Sequence, residues 1–236
     1  MKRNARRVIA LRRLALVVVV AASWQVQAQD AKTPYPNMAP LDQYLMERDA
    51  EIVLARSAAP ESISGDAEIM VLGRHGYETV VKGKNGFVCM VERSWMAGAD
   101  DPNFWNPRLR GPICLNPASV RSYLPRTIRK TELILATRSK AQMFADIKAA
   151  LDKKELPAPE PGAMCYMLSK QGYLSDSDGH WRPHLMFFAP LTDPAAWGAG
   201  LPGSPVIAFK GTEGMTIFLV PVVKWSDGTA ASMGEH

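Results

Sequence analysis

Three cysteines in 236 residues are too few for a disulfide scaffold. The apolar stretch from Leu14 to Ala22 falls far short of the ~20 residues a bilayer span needs, which argues against a retained transmembrane anchor. No Gly-x-Ser-x-Gly, Ser-x-x-Lys or His-Glu-x-x-His occurs, so the familiar hydrolase nucleophile and zinc signatures are missing. No P-loop pattern occurs either, so the usual nucleotide phosphate cradle is absent. Acidic residues are wholly lacking from residues 1–28.

What stands there instead is a basic front, Lys2, Arg3, Arg6, Arg7, Arg12 and Arg13, followed by the apolar stretch and then Val26-Gln27-Ala28. That order reads as a secretory signal peptide over 1–28 with cleavage after Ala28. The Arg pairs lack the polar residue a twin-arginine signal places just ahead of them, which favours general secretion. No Cys follows the leader to carry a lipid, so the expected product is free in the periplasm or secreted. Removing the leader takes six of the 28 Lys+Arg, leaving 22 against 23 Asp+Glu and a net charge near −1. A nucleic-acid binder keeps its basic footprint on the folded domain, so nucleic acid is not an expected partner.

The remaining chain has the length of one generous domain. Residues 29–40, with Pro34, Pro36 and Pro40, predict a flexible tether. Leu41, Leu45, Ile52 and Ala55 recur at helical spacing and predict a helix over 41–57. Strands are predicted at 68–72, 77–82 and 87–93, with Asn85-Gly86 as a hairpin turn between the last two. Both faces of 87–93 are apolar, so that strand should be covered on both sides. Residues 94–115 read as a long irregular loop ordered by Trp95, Phe104 and Trp105. Asn116-Pro117 starts a short helix that Pro125 ends, Glu132–Thr137 reads as a strand, and Ser139-Lys140-Ala141-Gln142 is a capping box opening another helix. Further strands are predicted at 163–169, 185–189, 206–210 and 215–224, before a disordered tail at 227–236. The expected fold is α+β: one domain over 41–226 with a largely antiparallel sheet and about three helices.

Cys89 and Cys114 are the favoured disulfide pair, with Cys165 left as an inert buried thiol in an apolar strand; all three as small buried hydrophobes is the alternative. Asp178, His180 and His184 offer imidazole and carboxylate ligands for a zinc-like divalent cation, but Gly179 and Pro183 deny them the helix that would align an i, i+4 pair. The plainer reading is an Asp-Gly turn leading into a strand whose His is hydrogen-bonded. Arg121, Arg126, Arg129, Lys130, Arg138 and Lys140 form a local basic run, suited to an anionic ligand or lipid headgroup, or simply to a solvated face paired with Glu132 and Asp146. Trp95, Phe104, Trp105, Trp181 and Arg182 are candidate ligand contacts on two loops, 94–112 and 176–184, that would rim a site. The functional expectation is a non-catalytic domain binding a small molecule or an envelope protein, with no cofactor. A metal-assisted hydrolase using the His180/His184 pair is the alternative.

Overall fold

Strands whose two faces are both apolar need covering on two sides, and helices packed around the sheet meet that need. The computed structural model describes residues 34–211 and 213–231. The leader lies outside the described residues, as do 29–33 of the expected tether and 232–236 of the tail.

Eight strands form one sheet: β1 (Glu68–Gly73), β2 (Gly76–Val81), β3 (Val88–Glu92), β4 (Gly111–Leu115), β5 (Met164–Met167), β6 (His184–Pro190), β7 (Ile207–Lys210) and β8 (Met215–Pro221), in the order β2-β1-β3-β4-β5-β6-β8-β7. Every pairing is antiparallel except β1 with β3. The helices are α1 (Arg48–Arg56), α2 (Glu61–Ser64), α3 (Pro117–Ser122), α4 (Leu124–Leu135) and α5 (Lys140–Asp152). The α+β class with a largely antiparallel sheet is as expected, but five helices among the described residues replace the expected three.

β3 is covered on both faces. Cys89 and Val91 pack with Leu54, Ala55 and Ala58 of the α1 region, while Met90 packs with Ile113, Leu115 and Cys165 on the other side. Cys89 lies directly opposite Cys114 in the β3–β4 register and is bonded to it, S–S 2.02 Å. Cys165 is free and buried, and desolvation pushes its thiol pKa well up, which leaves it inert. Two buried charges tie α1 to the sheet. Arg93 Nη2 donates to Glu51 Oε1 at 2.8 Å and its Nε to the Tyr44 carbonyl at 2.7 Å, while Glu51 Oε1 also accepts the Leu72 N–H at 3.1 Å.

Four local expectations differ from the structure. The Asn85-Gly86 turn does not close a hairpin, because β3 runs parallel to β1 and never pairs with β2. Asn85 instead anchors the crossing, donating to the Ile63 carbonyl at 2.8 Å and accepting the Phe87 N–H at 3.0 Å. The real hairpin is β1–β2, closed by Gly73–Gly76. The long loop ends earlier than expected: Gly111–Leu115 is a central strand, although Gly111-Pro112 reads as punctuation. The helix expected over 41–57 breaks into a 3-10 turn at Leu41–Gln43 and α1, with Tyr44 fully buried between them and donating to the Trp105 carbonyl at 2.8 Å. Finally, Glu132–Thr137 is no strand: the short helix α3 stops before Pro125 as expected, but Pro125 then sits in the first turn of α4, which extends through Leu135.

The capping box at Ser139 is present in both directions and opens α5 as expected. Asn116 caps α3 by accepting the Ser119 N–H at 2.9 Å. Residues 34–40 lie against the body: Tyr35, Met38 and Ala39 pack on the cluster around Trp95, and Tyr35 Oη donates to Asp176. Past β8 the chain turns once more, with Trp225 N–H donating to the Thr229 carbonyl at 2.9 Å and Lys170 Nζ holding Asp227 at 2.7 Å. Among the described residues, no helix is long and apolar enough to cross a membrane.

Candidate functional site

Four segments converge beside the β7–β8 edge. β3 ends in Glu92; Arg93 and a 3-10 turn at Ser94–Met96 lead the chain across; β6 begins at His184; and the 172–183 turn completes the set. They enclose a cleft of about 590 Å³ whose walls include Met96, Leu109, Leu174, Trp181, Phe209 and Ile217. A second cavity of about 390 Å³ shares Met96, Ala97, Asp101, Tyr123, Phe209 and Ile217 with it, and ends on Arg126, Lys130 and Glu213. Both volumes lie within the range of small-molecule sites.

Trp181 is seated by glycine. A Cβ on Gly172 would lie 2.3 Å from the indole ring, so only a residue without a side chain lets the ring settle there. Trp181 is 92% buried, yet among the described residues its Nε1–H has no hydrogen-bond partner. His184 meets it edge-on, ring centroids 5.8 Å apart, and burial lowers the His184 pKa. His184 Nδ1 lies 2.7 Å from the Arg182 carbonyl, and His180 Nδ1 lies 2.7 Å from the Gly172 carbonyl.

The two loops contribute unequally. Trp181 and Arg182 line the cleft with His180 and His184. Trp95 and Phe104 are core residues instead: Trp95 donates its indole N–H to Thr131 Oγ1 at 3.0 Å, and Phe104 packs edge-on against Trp105. Trp105 borders a wider depression of about 900 Å³ between 36–41 and 134–142, where no unpartnered buried polar atom is found among the described residues. Asp178 is engaged in sequence-local bonds, its carboxylate accepting from Ser175 Oγ at 2.6 Å. Among the described residues, no three His, Cys, Asp or Glu side chains meet as metal ligands, so the Asp178/His180/His184 set has no cation geometry behind it. Gly198-Ala199-Gly200-Leu201-Pro202-Gly203 has the spacing of a dinucleotide loop, but it follows a 3-10 turn and leads into β7. The strand-to-helix context that gives the pattern its chemistry is missing.

Beneath the apolar walls lies a buried polar floor that the sequence hardly signals. Glu92, 6% exposed, accepts from Tyr123 Oη at 3.3 Å and Thr127 Oγ1 at 3.4 Å. Burial raises its pKa to about 7, against the opposing pull of Lys130. Lys130 Nζ donates to Glu213 Oε1 at 2.7 Å and the Met96 carbonyl at 3.4 Å. Glu92 could have been noticed as the one charge closing an otherwise apolar strand. Tyr123 carries no such signal; it stacks on Phe188 with ring centroids 4.0 Å apart.

Neither family models, nor curated proteins, nor solved structures match this chain.

Proposed function

We propose that this chain is an exported, non-catalytic protein that binds a small, largely apolar molecule in the cleft between the 172–184 turn, the 94–111 segment and the β7–β8 edge. The observation that carries the reading is Trp181: a nearly buried indole, seated on Gly172, lining an apolar cavity with its N–H unpartnered. Leaving such a donor unmade costs about 1–3 kcal/mol, which a ligand acceptor would recover. Phe209 and Ile207, 52% and 47% exposed at the cleft, supply apolar area that an occupant would cover. Export rests on the basic and apolar leader and is consistent with the Cys89–Cys114 bond, which an oxidising compartment would preserve.

The test uses the neutral fluorescent probe N-phenyl-1-naphthylamine on the chain purified from the periplasm or medium. Saturable one-to-one binding with quenching of tryptophan emission is expected, weakened at least about tenfold by the cleft-filling substitution Met186→Trp. Non-saturable binding, or equal affinity in Met186→Trp, refutes the assignment.

A further inference from the structure

The cleft's second cavity ends on a buried guanidinium whose Nε and Nη1 lack a hydrogen-bond acceptor among the described residues. Three cationic side chains are buried in this region. Arg93 is fully engaged by Tyr44, Val91 and Glu51. Lys130 is engaged by Glu213 and the Met96 carbonyl. Arg126 is 2% exposed, and among the described residues its buried Nε and Nη1 find no hydrogen-bond acceptor. Its nearest opposite charge, Glu213 Oε2, stands 3.8 Å from Nε, beyond hydrogen-bond reach, and that carboxylate already accepts from Lys130. A buried guanidinium with unsatisfied N–H groups is costly, and proteins keep one chiefly where something completes it.

We infer that Arg126 receives the head of a monoanionic, carboxylate-bearing ligand whose apolar body lies along Phe209 and Ile217 toward Trp181. This deepens the small-ligand reading above and rests on it. The two cavities adjoin through Met96, Ala97, Tyr123, Phe209 and Ile217, so one molecule can reach both ends. The floor fixes the head's charge. Arg126 and Lys130 face Glu213, and Glu92 is driven toward its neutral form by burial, which leaves room for one further negative charge. Asp100 and Lys210 sit on the exposed rim, where water screens them, with the half-buried Asp101 beside them. Lys130 and Arg126 lie one helical turn apart on the buried face of α4, so the helix itself aims both at this cavity.

Displacement of N-phenyl-1-naphthylamine by octanoate, by 1-octanol and by acetate tests the inference. Octanoate should compete at about tenfold lower concentration than 1-octanol, since a charge-assisted bond separates them, and acetate should compete weakly for want of a body. Arg126→Met should bring the octanoate and 1-octanol values together, and Arg126→Lys should restore part of the difference. Equal competition by octanoate and 1-octanol in the wild-type chain overturns the anion site while leaving the cleft assignment standing, and needs no variant to fold. A preference that survives Arg126→Met overturns it equally. Absence of saturable probe binding removes the cleft reading and this inference with it.

Discussion

Glu92→Gln isolates the electrostatics of the cleft floor. A carboxyl that is 6% exposed and has only two long hydrogen bonds, 3.3 and 3.4 Å, is poorly solvated as an anion. The nearest ammonium, Lys130, is committed to Glu213 at 2.7 Å, so burial wins and the Glu92 pKa rises from 4.5 to about 7. The folded state then holds a proton that the unfolded chain has released. Stability from this group is fully present below about pH 4.5 and drains away as pH rises through about 7. At 1.36 kcal/mol per pKa unit, the shift amounts to about 3 kcal/mol across that window. Gln resembles the protonated acid and does not titrate, so the variant should match wild type near pH 3.5 and exceed it by about 3 kcal/mol near pH 8.5. Urea unfolding followed by near-UV circular dichroism at several pH values gives the comparison. His184, whose pKa burial lowers, contributes with the opposite sign, gaining stability as pH rises, but it is common to both proteins and cancels in the difference. A wild-type-minus-variant difference that stays flat, or that grows in favour of wild type with rising pH, would mean Glu92 is an ion-paired carboxylate and the reasoning fails.

Glu51→Ala strands Arg93 in the core and should cost about 3–5 kcal/mol in urea unfolding; a loss under 1 kcal/mol would show the pair to be dispensable. Replacing both Cys89 and Cys114 by Ala opens a loop spanning 25 residues and should lower stability by about 3 kcal/mol, with wild type plus reductant behaving alike; no change on reduction would contradict the bond. Gly172→Ala forces a methyl into the Trp181 ring and should shift tryptophan emission and weaken N-phenyl-1-naphthylamine binding, whereas unaltered emission would show that the indole has another seat.

The readable parts of this fold are those where local chemistry and tertiary need agree. The Ser139–Gln142 box opens α5 because its own side chains satisfy the free backbone donors, and no distant residue has a vote. The doubly apolar 87–93 run is a covered strand for the same kind of reason. Pairing is different. Asn85-Gly86 has the composition of a tight hairpin, but its amide reaches Ile63 and redirects β3 alongside β1, a contact that depends on where α2 ends. Gly111-Pro112 likewise looks like a break until Val91 and Glu92 stand opposite. Of the site, the 176–184 turn was legible as a cluster, and it supplies Trp181 and His184. Trp95 and Phe104 were not separable from it, since an aromatic on a loop looks the same whether it faces a cavity or the core.

The weak helical signal of α4 and the position of the candidate site have one cause. A helix is recognised by an apolar stripe at period 3.6, and the buried face of α4 runs Arg126, Thr127, Lys130, Thr131, Leu133 and Ile134. Only its last turn is apolar, so Glu132–Thr137 stands out as a short β-like run and the rest dissolves into a basic stretch. Arg129 and Arg138 of that stretch do what surface cations do, pairing with Glu132 at 3.4 Å and Asp146 at 3.7 Å. Arg126 and Lys130 are buried instead and share the one carboxylate of Glu213, at 3.8 Å and 2.7 Å. A sequence that needed α4 only for packing would have placed Leu or Ala at those two positions, strengthening both the stripe and the core. Two cations buried there weaken the local signal and carry a desolvation cost, and such local conflicts concentrate where a chain is built to hold something other than itself.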